Sequence, residues 1–547
     1  GGVFSISVSL TDKGLANRDV VVAAIFDYIN MLHKDGIKKS YFDEIAHVLN
    51  LDFRYPSITR DMDYIEWLVD MMLRVPVEHV LDAPYLADKY DPKAIAARLA
   101  EMTPENARIW FVSSEEPHNK VAYFVDAPYQ VNKISPQEMH EWHKLGKDIT
   151  LSLPALNPYI PDNFSLIKAD KNITRPQKVA EQPGLRVFYM PSQYFADEPK
   201  ADISVAFRNP HALDTARHQV LFALTDYLAG LSLDELSYQA SIGGISFSTS
   251  PNNGLYVSAN GFTQRMPQLL TSLVEGYSSF TPTKEGLAQA KSWYREQLEV
   301  AEKGKAYELA IQPAKLLSHV PYSERSERRK LLDSISVQDV VAYRDGLLKQ
   351  SAVEILAVGN MTAEQVTSLA ESLKKQLSLT GTTWWTGEDV VVDKAQLANM
   401  ERLGSSSDAA LAAVYVPTGY SEIEGMAYSA LLGQIVQPWF YDQLRTAEQL
   451  GYAVFAFPMS VGRQWGLGFL LQSNSKQPDY LYQRYLAFYP EAEKRLREMK
   501  PADFEQYKQA LINQLLQRPQ TLDEEASRYS NDFSRNNFAF DSGEKMI

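Results

Sequence analysis

The chain has 547 residues, too many for one hydrophobic core, so several domains are expected. Its 45% apolar and 22% charged content suits a globular protein, and no apolar run is long enough to cross a membrane as a helix. A net charge of −14 argues against a general nucleic-acid binder, and the lack of cysteine removes disulfides, thiolate metal sites and cysteine nucleophiles.

In chain order, the sequence opens on Gly1-Gly2 and runs into a strand-like stretch at 3–8. It stops at Met546-Ile547 without a finishing element, so the chain is expected to be part of a longer protein. Helices are predicted over about 17–34, 40–49, 61–73 and 92–101, the first with Val20, Ala23, Ala24, Tyr28 and Leu32 on one face. Residues 108–113 (R-I-W-F-V-S) predict a strand. Three prolines and no periodicity make 151–164 an extended linker, which continues to about 184.

Past the linker, strands are predicted at 185–190 and 201–209, a helix at about 215–229, a hairpin at 242–258 and helices at about 266–280 and 284–303. A helix at 337–349, a strand at 354–358 and a helix at 363–376 follow. The plan then recurs: a strand at 410–416, a long helix at about 424–444 with Pro438 as a kink, a hairpin at 452–471, and helices at about 479–499 and 501–517.

These recurrences form an internal repeat. Strands opening at Gly2, Gly254 and Gly466 each lead through a turn into two helices. The unit is a domain of about 200 residues, an α+β roll whose sheet leans antiparallel with helices on one face. L-S-Y-Q-A-S-I-G-G at 236–244 lies without a gap over L-R-T-A-E-Q-L-G-Y at 444–452. Leu444, Leu450 and Gly451 match Leu236, Ile242 and Gly243, as shared packing and a shared helix stop would require. Arg445 and Tyr452 instead face Ser237 and Gly244. The scaffold therefore accepts small residues there, and Arg445 and Tyr452 become candidate site residues.

Two readings of each stand at this point. Arg445 is a solvated helix arginine paired with Glu448 three residues on, or a guanidinium fork for a peptide carbonyl or carboxylate. Tyr452 is a half-buried strand aromatic, or a phenol donating to an oxyanion on an attacked carbonyl. Among the histidines, H-E-W-H at 140–143 is one residue short of H-E-x-x-H and in the wrong order for H-x-x-E-H, so it is taken as a surface helix. His211 and His218 flank Asp214, which is expected to cap the following helix rather than bind metal.

The stretch L-R-T-A-E-Q-L-G-Y-A-V-F at 444–455, preceded by Q-P-W-F-Y-D-Q at 437–443, resembles a motif of the insulinase family, zinc metallopeptidases with an inverted H-x-x-E-H site. D-F-R-Y-P at 52–56, N-P-Y-I-P-D-N-F at 157–164, V-G-N-M-T at 358–362 and F-P-M-S-V-G-R-Q-W at 457–465 extend the resemblance over nearly the whole chain. It implies four homologous α+β domains, two per half, closing around a chamber that admits small peptides. Residues 1–150 would be the C-terminal part of the second domain, 151–184 the inter-half linker, 185–395 the third domain and 396–547 a C-terminally truncated fourth.

The family's zinc ligands and glutamate base lie on the first domain, so zinc would be held outside this chain and no metal ligand is assigned here. By resemblance, Tyr452 would stabilise the tetrahedral intermediate, Arg445 would bind substrate backbone and Tyr441 would line the chamber. Gly2 and Phe4 would belong to an edge that anchors a peptide N-terminus by β-augmentation. The implied whole is a periplasmic metalloendopeptidase of small peptides and short polypeptides, with the N-terminal catalytic domain as partner and this chain inert alone. The alternative is a non-catalytic family subunit or peptide-binding module, which the sequence upstream of residue 1 would distinguish.

Overall fold

The computed structural model describes residues 3–56, 61–145, 150–317, 322–384, 390–394 and 407–547. They fall into two units, residues 1–158 and 159–547, divided within the proline-rich stretch 151–164. No helix or strand occurs between residues 150 and 176.

The first unit is mainly helical. Helix Arg18–Asp35 meets helix Pro136–Leu145 through Val22, Ala23, Phe26, Met139 and Trp142. The Trp142 indole N–H donates to Asp19 at 3.1 Å, which satisfies its one polar atom in that core. Helices Lys39–Arg54, Asp61–Arg74 and Pro92–Leu99 occupy the other predicted helical spans. The two predicted strands are corrected: neither 3–8 nor 108–113 is strand. An extended segment becomes a strand only when a neighbour takes up its N–H and C=O groups, and no described strand pairs with either. Val3, Phe4, Trp110 and Val112 accordingly stand exposed.

The second unit holds two sheets. The larger has six strands in the order Gln177–Gln182, Leu185–Met190, Ala352–Gly359, Lys200–Arg208, Gly254–Phe262, Ile245–Pro251. Its one parallel pairing joins Leu185–Met190 to Ala352–Gly359. All eight residues of Ala352–Gly359 are buried, as a strand covered on both faces must be. One face carries the helices Ala216–Ile242, Met266–Ser279, Val337–Lys349 and Ala363–Gln376. The first of these runs well past its predicted end at 229, because Leu233 and Ala240 beyond Gly230 are buried in the same core. The opposite face is closed by helix Leu522–Ser534 with Phe538 and Phe540, which pack on Phe188, Ala206 and Leu356. Glu354, on that face, lies between Arg186 at 2.7 Å and Arg208 at 2.8 Å.

The smaller sheet has Gln464–Ser473 at its centre, antiparallel to Ala453–Val461 and Ala409–Tyr415. Leu467, Phe469 and Leu471 alternate toward helices Glu422–Tyr441 and Pro478–Glu498. Phe440 fixes that packing, meeting Phe469 and Phe488 edge-on at 5.1 and 5.0 Å. Leu470 and Met459 meet Ile311 of helix Ala306–Leu317 instead. The two sheets thus exchange covers: helix Ala306–Leu317, after the first hairpin, closes the second sheet, and helix Leu522–Ser534, after the second hairpin, closes the first.

The order strand, long helix, hairpin and two helices occurs twice, from Lys200 to Val300 and from Ala409 to Leu515. One spatial detail recurs with it. A Cβ on Gly254 would lie 1.8 Å from the Phe207 carbonyl oxygen, and a Cβ on Gly466 would lie 1.8 Å from that of Tyr415. Each hairpin's second strand enters its sheet where only glycine lets the backbones close.

Candidate functional site

Ser421 and Glu424 form a capping box that starts helix Glu422–Tyr441. The helix passes through Pro438 and widens into a π-helical turn over Asp442–Ala447. Such turns hold one extra residue and are frequent at functional sites. Glu448 N–H donates to Gln443 C=O at 2.9 Å, Leu450 N–H to Leu444 C=O at 3.0 Å, and Gln449 takes the left-handed conformation with φ 52°. Leu444 and Leu450, both buried, anchor this wide turn to the core.

Gly451 is therefore not the helix stop it was expected to be. The reversal falls at Gln449, and glycine is needed at 451 because a Cβ there would come 1.7 Å from the Gln472 backbone carbonyl oxygen. The overlay with 236–244 holds in length, since strands open at Ala453 and Ile245, two residues after Gly451 and Gly243. It does not hold in packing at Leu450, because Ile242 is 38% exposed and Leu450 only 2%.

The wide turn and the start of the hairpin enclose an open cleft of about 610 Å³ lined by Tyr441, Arg445, Thr446, Gln449, Gly451, Tyr452 and Asn474. Three residues singled out in the sequence, Tyr441, Arg445 and Tyr452, thus share one cavity. Phe4 belongs to the first unit, in a segment without strand, and Gly2 lies outside the described residues.

The expected Arg445–Glu448 pair does not form. Glu448 instead receives Arg484 on both oxygens, at 2.5 and 2.6 Å, and Gln443 at 3.1 Å. The Arg484 guanidinium holds the Glu448 carboxyl below its usual range. Arg445 lines the cleft, and its Nε is buried and lacks a hydrogen-bond partner among the described residues. A buried donor of this kind costs free energy until an acceptor reaches it.

Tyr452 is 55% exposed. Its phenol oxygen accepts a 2.6 Å hydrogen bond from Gln472 Nε2, which also donates to Asp408 Oδ2 at 2.7 Å. The side-chain Oε1 of Gln472 accepts from the Tyr307 N–H at 3.1 Å. Gln472 escaped the sequence reading, although one polar residue closing the apolar run L-G-F-L-L was a visible signal.

Among the described residues, no three His, Cys, Asp or Glu side chains are placed to share a metal ion. His140 and His143 stand exposed on helix Pro136–Leu145, whose buried residue is Trp142. His211 and His218 both hydrogen-bond Asp214 through Nδ1, at 2.9 and 2.5 Å. Asp214 is thus not the expected helix cap; Thr215 caps, accepting from His218 N–H. Burial raises the Asp214 carboxyl pKa, and the two imidazole bonds outweigh that and leave it below the usual range. This trio is closed on itself and does not fit a zinc site.

A family model for the middle or third domain of peptidase M16 matches residues 53–330. A second, for domain 4 of the C-terminal lobe of PQQ synthase PqqF-like proteins, matches residues 431–530. Protease 3 of Salmonella typhimurium is 64% identical over 546 residues, covering all of this chain and 57% of its own length. The human insulin-degrading enzyme is 26% identical over 550 residues, 98% of this chain and 54% of its own. The crystal structure of pitrilysin superposes with a TM-score of 0.86 at 63% identity, over 98% of this chain and 57% of that one. The chain spans just over half the length of these relatives.

Proposed function

Because the chain belongs to the peptidase M16 (insulinase) family, we propose that it is the substrate-enclosing, transition-state-assisting portion of a zinc metalloendopeptidase. Its substrates are small peptides and short polypeptides. The observation that carries this reading is the convergence of Arg445 and Tyr452 on one open cleft, with the Tyr452 oxygen already accepting from Gln472.

Tyr452 donates its O–H to the oxygen that turns negative when the scissile carbonyl is attacked. Arg445 grips a carbonyl or carboxylate of the peptide in its planar fork. Tyr441, 40% exposed beside them, offers an aromatic face to a substrate side chain. In such peptidases zinc polarises the carbonyl and activates water. Among the described residues no three His, Cys, Asp or Glu side chains could share that metal, and its ligands would lie on an N-terminal catalytic domain outside this chain. The same reading takes 185–395 and 396–547 as successive repeats, 1–150 as part of the domain before them and 151–184 as the linker, with the periplasm as the site of action. The twice-repeated element order supports it.

The test is complementation. The isolated chain and a separately made zinc-bearing domain are assayed alone and mixed, with a fluorogenic peptide. Activity only in the mixture is expected, and chelator-sensitive hydrolysis by this chain alone would overturn the assignment.

A further inference from the structure

The geometry points to Gln472 as a positioning residue that sets the hydrogen-bond polarity of Tyr452. This rests on the role just proposed for Tyr452. Gln472 sits on the central strand of the smaller sheet, opposite Ala453 and Ala410, and is 1% exposed. A side-chain amide has two N–H donors and a carbonyl acceptor. Here all three functions are engaged, by Asp408, Tyr452 and the Tyr307 backbone.

Two of those partners leave no choice of orientation. An ionised Asp408 carboxylate can only accept, and the Tyr307 N–H can only donate. Together they fix which end of the Gln472 amide is nitrogen. The Tyr452 oxygen could otherwise donate or accept; facing that nitrogen it must accept. Its own proton is thereby kept out of the internal network and left for the cleft, where an oxyanion donor has to point. A phenol that accepts one hydrogen bond is also the better donor of the next. Had residue 472 been an acceptor, Tyr452 would spend its proton inward.

The contact with Tyr307 ties this device to the fold. Tyr307 opens the covering helix Ala306–Leu317, and its ring meets Phe455 at 6.1 Å. A purely structural role for Gln472, as the pin between that helix and the sheet, is the competing account. A double-mutant cycle in the assembled enzyme separates the two.

Gln472→Met keeps length and removes the amide. In the otherwise unaltered enzyme it should lower kcat by about tenfold, the scale of one hydrogen bond, with KM unchanged within about twofold. In a Tyr452→Phe background it should cost nothing further, because the proton it directs is gone. An equal loss in both backgrounds, or none in the first, overturns the inference. Should Gln472→Met not fold, Asp408→Asn at the half-buried end of the network replaces it: a kcat loss confined to the Tyr452 background supports the inference, and any other pattern overturns it. A Tyr452→Phe enzyme with undiminished kcat would instead sink the proposed role of Tyr452 itself.

Discussion

Glu448 gives both carboxylate oxygens to Arg484, 36 residues further along the chain, and none to Arg445, three residues before it. In a regular α-helix the i,i+3 neighbours would have met. The π-helical turn breaks that spacing, and Arg484 of helix Pro478–Glu498 takes the acid. A positive charge is thereby left in the cleft with nothing described to neutralise it.

Arg445→Lys tests what that charge is for. Lysine keeps the charge but loses the planar fork. KM for a peptide substrate should rise roughly 10- to 100-fold, the worth of a hydrogen bond to a charged group, with kcat changing less. Steady-state kinetics on the assembled enzyme checks this, and an unchanged KM would return Arg445 to the solvated-surface reading.

Gly451→Ala tests the join between turn and hairpin. With a Cβ placed 1.7 Å from the Gln472 backbone carbonyl oxygen, the chain must shift. A stability loss of about 1–3 kcal/mol is expected from such overpacking, together with lower kcat because Tyr452 is the next residue. Urea unfolding and kinetics on the same sample measure both.

Glu354 is fully buried between two arginines. Glu354→Gln would leave Arg208, 1% exposed, with its charge uncompensated, and breaking a buried pair in this way costs about 3–5 kcal/mol. A large fall in the urea midpoint is expected, with no specific effect on KM in whatever fraction remains folded.

Asp202 supplies a pH dependence of opposite sign to a paired carboxylate. Burial, then the charge of Asp523, pushes its pKa up to about 7, against about 3.9 for an unfolded chain. The folded protein thus holds this proton more tightly, so its stability falls as pH rises from about 4 to about 7 and then levels off. Asp202→Asn should match the parent near pH 4 and exceed it at pH 8, by up to about 4 kcal/mol. Urea midpoints at the two pH values read the difference directly.

Much of this architecture was legible because it rests on local chemistry. The helices and hairpins of the second unit follow from apolar periodicity and glycine, and two copies of the repeat were visible in the strands at Gly254 and Gly466 and in the overlay of 236–244 on 444–452. Other features depended on distant partners. The stretches at 3–8 and 108–113 have strand-like composition but no described neighbour to pair with. The helix Leu522–Ser534 closes a sheet begun some 340 residues earlier, which periodicity cannot reveal. At the site, comparing Ser237 and Gly244 with Arg445 and Tyr452 singled out two residues that line one cleft. The π-helical turn, the Arg484–Glu448 pair and the amide of Gln472 did not appear there, because each is settled by a contact across the fold.

The central claim is that the Tyr452 phenol donates to the developing oxyanion. It is tested most directly by the kcat of Tyr452→Phe in the enzyme assembled from this chain and a zinc-bearing domain, at saturating peptide. A fall of about 10²-fold or more with KM nearly unchanged is predicted, the scale of one lost oxyanion donor. A kcat equal to that of the unaltered enzyme would contradict it.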